Sequence, residues 1–134
     1  MDDIQKVADL LYGPGEVMPG IEMSLEQALE RVKTFMHFPG EPYCVVRNWI
    51  WIDLILPDRV REELKAAGQE SVMLYADSVL YDSNRRFDVG NWVRTTPLLS
   101  FSEGCCFRTR NTLYVLVGSG LRKRAELSTV VKIF

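Results

Sequence analysis

The chain has 134 residues, which is one domain's worth and enough to bury its own core, so a single domain over residues 1–134 is expected. A composition that is 47% hydrophobic and 25% charged excludes a disordered chain. A formal net charge of −2 excludes a polybasic nucleic-acid coat.

The first predicted element is a helix from Asp3 to Tyr12, where Ile4, Val7, Ala8 and Leu11 recur at helical spacing. "GPGEVMPG" follows, and its glycines and prolines predict irregular backbone. A second helix is expected to start at Ser24. "SLEQ" is a capping box, in which the Ser24 hydroxyl accepts from the Gln27 amide and the Gln27 side chain reaches back. Leu25, Ala28, Leu29, Val32 and Met36 make its apolar stripe, and "FPGEP" ends it.

"YCVVRNWIWIDLIL" is the strongest strand signal, being rich in Val, Ile and Trp. Strict alternation places Cys44, Val46, Asn48, Ile50, Ile52, Leu54 and Leu56 on a core face. The other face then carries Tyr43, Val45, Arg47, Trp49, Trp51, Asp53 and Ile55. "PDRVREELKAAG" reads as a short helix closed by Gly68. "SVMLYADSVLYDS", "NWVRTTPLLSF", "CFRTRNTLYVLVG" and "STVVKIF" give further strands, with a tight hairpin at Gly118-Ser119-Gly120. Helices early and strands late argue an α+β fold. The expectation is two or three helices, mostly in the N-terminal half, on a mostly antiparallel sheet of five to six strands that can curl into a small barrel.

"VRNWIWIDL", "VMLYADSVLYDS", "GNWVRTTPLLSF" and "TRNTLYVLVGSGLRKR" resemble a family of uncharacterised small proteins of pseudomonads and related bacteria, with relatives in phages or other mobile elements. The resemblance covers the chain from about residue 20 onward. It implies a bacterial accessory or phage setting. It hands no residue a role.

Two polar strand faces are candidate binding surfaces. One joins Arg47, Trp49 and Trp51, residue types that dominate protein–protein hot spots. The other joins Arg108, Arg110 and Tyr114 in one strand, with Arg94 brought alongside from the strand before. Arginine forks suit phosphate, carboxylate or an acidic protein patch. Both faces also read simply as an ordinary sheet face, covered by a helix or wetted by solvent.

The charge is uneven. Asp2, Asp3, Asp9, Glu16, Glu22, Glu26 and Glu30 face Lys6 alone near the start, whereas Arg108, Arg110, Arg122, Lys123, Arg124 and Lys132 face Glu126 alone near the end. That pattern marks either an anionic partner or two ends of one fold attracting each other. "GSGLRKR" lacks both the lysine spacing of a phosphate loop and the GxGxxG of a dinucleotide site.

Catalytic groups are sparse. His37 is the only histidine and fits a helix terminus. Asp77, Asp82 and Asp88 are the one carboxylate set worth weighing. Cys44, Cys105 and Cys106 have no zinc spacing and are expected as three free thiols, with one of the adjacent pair facing the core. "MDDIQKVADL" has acids where a signal peptide has cations, and no apolar run approaches the ~18 residues that span a membrane. The expectation is a cytoplasmic protein with no membrane partner.

The leading expectation is a non-enzymatic bacterial protein that acts through a protein–protein surface, without metal or cofactor. The alternative is a nucleic-acid, nucleotide or other anion-binding module using Arg94, Arg108, Arg110, Arg122, Lys123 and Arg124. The third is a small enzyme using carboxylates and arginines.

Overall fold

A computed structural model describes residues 2–133. In chain order the elements are α1 (Asp2–Tyr12), β1 (Glu16–Ile21), α2 (Leu25–Phe35), β2 (Tyr43–Ile55), α3 (Asp58–Ala66), β3 (Val72–Asp82), β4 (Val93–Arg94), β5 (Ser100–Ser102), β6 (Cys106–Arg108), β7 (Leu113–Glu126) and α4 (Leu127–Val130). The fold is α+β. The sheet has seven strands in the order β4-β3-β2-β7-β6-β5, with β1 added on β7. Every pairing is antiparallel except the central one, β2 with β7, which is parallel. The sheet is open, so the barrel expectation is corrected, and the helix and strand counts rise to four and seven among the described residues.

Both faces of the central strands are covered, which is why β2 reads as a nearly unbroken apolar run. One face carries Cys44, Val46, Trp49, Trp51, Leu74, Tyr114 and Leu116. The chain after β3 folds back over it and contributes Val93, Leu98 and Phe107. The opposite face is covered by helices: α1 and α4 supply Leu10 and Val130 over Ile50 and Ile52, and α2 supplies Ala28 and Val32 over Val45 and Val115. α3 buries no side chain.

Strict alternation therefore fails in β2. Asn48 takes φ +56°, and the ladder to β7 slips between Arg47 and Ile50. Asparagine tolerates this left-handed region better than most residues. The bulge reverses the phase of the strand. Val46 leaves the set that holds Ile50, Ile52 and Leu54 and joins the tryptophans. Trp49 is only 2% exposed and Trp51 7%, so both are core residues. The side chains on each face are correct locally, and only their phase across Asn48 was wrong.

The glycines after Val117 are not a hairpin turn. β7 runs straight through them to Glu126. Gly118 has φ +73°, the bulge conformation open to glycine, and its carbonyl accepts from the Trp49 indole N–H at 3.2 Å. A Cβ on Gly120 would lie 2.4 Å from the Trp49 ring. "GSG" is thus the seat on which Trp49 lies.

Other local expectations change for similar reasons. "GPGEVMPG" supplies β1, because Pro19 sits on an edge strand where its missing N–H costs no ladder bond. "CFRTRNTLYVLVG" is two strands, β6 and β7, joined by a turn in which the Thr109 amide donates to the Thr112 carbonyl at 2.9 Å. Only the short β4 and the start of β5 are strand in "NWVRTTPLLSF". "STVVKIF" holds most of α4 rather than a strand, and its last residue, Phe134, lies outside the described residues. The Ser24 capping box is present in full, with bonds of 3.1 and 2.8 Å. Gly68, at φ +76°, closes α3 as expected.

Gly120→Ala should lower stability by about 1–3 kcal/mol through overpacking against Trp49. Ser119→Ala, beside it and exposed, should be nearly neutral. Chemical denaturation checks both, and an unchanged midpoint in Gly120→Ala would remove the glycine seat.

Candidate functional site

The residues named from sequence are mostly spent inside the fold. Arg108 is paired with Glu41, both side chains being almost wholly buried. It also donates to the Phe35 carbonyl at 2.8 Å, while Glu41 accepts from the His37 amide at 2.8 Å. Arg108 therefore clamps the C-terminal end of α2 to β6. Arg110 lies exposed in the β6–β7 turn, and Tyr114 is buried in β7 on the tryptophan face. Burial pushes the Tyr114 hydroxyl up to about 12. The three do not share a face.

Arg94 lies at the other end of the sheet, opposite Tyr75 on β3. It donates to the carbonyls of Val130 and Ile133 at 3.1 and 3.2 Å and so holds the C-terminal segment in place. Arg47 pairs with Glu22 on the helix-covered side. Arg122 stacks over Trp51, 5.7 Å from the ring, and forms two hydrogen bonds to Asp53 at 2.7 and 3.0 Å. Lys123 donates to the Leu10 and Gly13 carbonyls, both at 2.7 Å, and so caps the C-terminus of α1. Asp82, its side chain fully buried, is gripped by Arg86, which reaches on to the Thr112 hydroxyl at 2.8 Å.

What these anchors leave open is a groove of about 740 Å³ between α1, β3 and the C-terminal segment. Ile4, Leu11 and Tyr12 of α1 line one wall, and Tyr75, Asp77 and Trp92 line the other. The Tyr75 and Trp92 rings lie 5.9 Å apart, tilted by 31°. Ile4 is 70% exposed, Tyr12 85% and Trp92 38%. These are large apolar surfaces left in water side by side. Asp77 is exposed at the groove and forms no ion pair among the described residues; it accepts a long hydrogen bond, 3.4 Å, from the Tyr75 hydroxyl. Burial first, and then the Asp77 charge, push that hydroxyl up to about 12. The groove's walls are fastened by Lys123 under α1, by Arg94 on the C-terminal segment, and by a 2.8 Å ion pair between Lys132 and Asp3.

The sequence reading missed this groove because it assigned "DIQKVADLLY" one buried stripe. That stripe is Ile4, Val7, Ala8 and Leu11, but the buried residue is Leu10, outside it, while Ile4 is 70% and Tyr12 85% exposed. Tyr12 and Trp92 are far apart in sequence, and no spacing joins them.

The thiols differ in surroundings. All three are free and buried. Cys44 lies on the tryptophan face near Asp82, and burial together with that charge pushes its thiol up to about 12. Cys105 and Cys106 both belong to the α2-covered cluster, so both members of the pair face the core, contrary to simple alternation. Among the described residues, no group of three or more His, Cys, Asp or Glu side chains is arranged to hold a metal ion, and no helix is long and apolar enough to cross a membrane.

An open, mostly antiparallel sheet with helices on one face defines an α+β protein. The chain belongs to the family described as a domain of unknown function, DUF6957, whose model matches residues 19–132. α1, one wall of the groove, precedes the matched stretch. No curated protein and no solved structure matches the chain.

Arg108→Ala should cost about 3–5 kcal/mol, because it strands a buried carboxylate. The double change Arg108→Ala with Glu41→Ala should cost clearly less than the sum of the two singles. A folded Arg108→Ala variant with an unchanged midpoint would contradict the clamp.

Asp82 gives a pH test. Burial pushes its pKa up, but hydrogen bonds from the Arg86 side chain and backbone outweigh that and hold it below the usual carboxylate range. A depressed folded pKa adds stability that is fully present above the unfolded value of about 3.9 and is lost as pH falls through the lower folded value. Asp82→Asn should therefore be less stable than wild type at pH 7, and the gap should narrow as pH falls below about 4. A gap that stays constant with pH would show that the carboxylate charge contributes nothing.

Proposed function

We propose that this is a non-enzymatic binding protein that engages a segment of another protein in the groove between α1, β3 and the C-terminal segment. The observation that carries the reading is the placement of exposed Ile4, Tyr12 and Trp92 around Asp77, a carboxylate with no ion pair among the described residues. Aromatic side chains bring large apolar area at low entropic cost, which is why tyrosine and tryptophan dominate recognition surfaces. The single acid sets the partner's chemistry. The fitting occupant is a peptide segment with a large apolar side chain for the groove floor and a lysine or arginine for Asp77. Its cation would stand beside the Tyr75 and Trp92 rings, where aromatic faces add attraction.

The binding role passes from the strand faces to this groove for a physical reason. Arg94, Arg108 and Arg122 already donate to carbonyls or carboxylates of the fold, so their forks are not free to take a partner. The bacterial setting implied by the sequence resemblance is kept as part of the proposal.

Selection of random displayed peptides on the immobilised chain tests the reading. Enriched peptides should combine an aromatic or long aliphatic residue with a nearby lysine or arginine. Tyr12→Ala, Trp92→Ala and Asp77→Asn should each weaken binding about tenfold or more, as hot-spot changes do, with the fold intact. Enriched peptides that bind the three variants as tightly as wild type would place the surface elsewhere.

A further inference from the structure

Apart from the groove, the chain carries a second arrangement that the fold does not need. Cys105 and Cys106 are adjacent, yet their sulfurs lie only 3.9 Å apart. Neighbouring residues of an extended strand point to opposite faces. Here Glu103 and Gly104, both at positive φ (58° and 72°), turn the chain just before the pair and bring both thiols to the same side. A third group joins them. The Arg31 guanidinium, on α2, lies 3.9 Å from the Cys105 sulfur. Two methyl-sized apolar residues would fill such a space without either feature.

The two thiols are unequal. The hydrogen bond with Cys106 holds Cys105 below the usual cysteine range against the opposing effect of burial, and the Arg31 charge adds to the lowering. Cys106 is pushed up by the same hydrogen bond and by burial. Glu103 opposes the Cys105 thiolate, and Arg108 favours ionisation of Cys106, without reversing either direction. The pair is buried, but the turn immediately before it, residues 102–104, is exposed. The reagent that reaches the pair must therefore be small.

We propose that Cys105 and Cys106 form a redox-active dithiol whose oxidant is a hydroperoxide, with Cys105 as the attacking thiolate, Cys106 as the resolving thiol and Arg31 as the positioning cation. In the first step the Cys105 sulfur attacks one peroxide oxygen. An S–O bond forms, the O–O bond breaks, and the departing oxygen leaves as water or alcohol after taking a proton. In the second step the Cys106 sulfur attacks the Cys105 sulfenic sulfur. An S–S bond forms, the S–O bond breaks, and hydroxide leaves as water with the Cys106 proton. The two thiols together lose two electrons and the hydroperoxide gains them. A thiolate is the species that attacks, and a neighbouring cation raises its fraction. Cys44 has no second sulfur to resolve it, and burial with the Asp82 charge outweighs the nearby Arg86 cation and pushes its thiol up, so it serves as an internal control.

The test uses the intact native chain and hydrogen peroxide in slight excess, followed by alkylation in denaturant and mass spectrometry. The expected product has lost two alkylatable thiols and about 2 Da, carries its new bond within the one peptide that contains Cys105 and Cys106, keeps Cys44 alkylated, and returns to three thiols with dithiothreitol. Arg31→Ala, checked for folding by circular dichroism, should slow the loss about three- to tenfold at neutral pH, and Arg31→Lys should restore most of the rate. Three thiols surviving in wild type would overturn the proposal. So would oxidation of Cys44 at the same rate, or a Cys105 sulfinic acid formed without any S–S bond. An Arg31→Ala variant that oxidises as fast as wild type would remove the arginine from it.

Discussion

The structure depends on the reversal of phase in the middle of β2. Asn48 adopts φ +56° at the point where the ladder to β7 slips. Before it, even-numbered residues face the tryptophan side; after it, odd-numbered residues do. The sheet can therefore bury Cys44 and Val46 together with Trp49 and Trp51 on one face, and give Ile50 and Ile52 to α1 and α4 on the other. β7 needs a matching accommodation, and the glycines at 118 and 120 supply it by letting the Trp49 ring lie against the backbone. Without the bulge, the two tryptophans would face the helices, and Ile50 and Ile52 would lie on the face of Leu98 and Phe107.

From that layout the placement of charge follows. The two central strands are buried on both faces, so polar side chains near them must be satisfied within the fold. Arg108 is committed to Glu41 and the end of α2, Arg94 to the C-terminal carbonyls, and Lys123 to the end of α1. Each of these cations ties a helix end or a peripheral segment to the sheet. The acidic start and basic end of the sequence are two parts of this lacing. Lys132 paired with Asp3, and Lys123 capping α1, bring the ends together. The groove between α1 and β3 is held open by the same lacing, and its exposed aromatics are what remains after the core is filled.

Local signals in the sequence were readable where they acted alone. The Ser24–Gln27 capping box, the amphipathic stripe of α2, the Gly68 stop of α3 and the apolar run of β2 all correspond to the structure. The failures share one cause: a long-range partner overrode a local preference. Nothing next to Asn48 announces a bulge. It follows from the need to seat Trp49 on Gly120, about seventy residues away. Pro19 reads as a breaker until the edge position of β1 is known. "STVV" is β-branched enough for a strand, yet as α4 it packs on the sheet beside α1, where its Val130 is fully buried. The candidate site fared worse than the fold for the same reason. Arginines are as common in structural clamps as in binding sites, and only burial and partners tell them apart.

The central claim is the phase of β2 across Asn48, and nuclear Overhauser contacts of the native chain in solution measure it directly. The account predicts contacts from the Trp51 indole protons to the rings of Phe101 and Phe107, whose centroids lie 5.0 and 5.5 Å away. It also predicts contacts from the Ile52 methyls to the helix-side residues of their own cluster, Leu10 or Val130. Contacts of Ile52 with Phe107, together with contacts of Trp51 with α1 or α4, would mean uninterrupted alternation and would contradict the account.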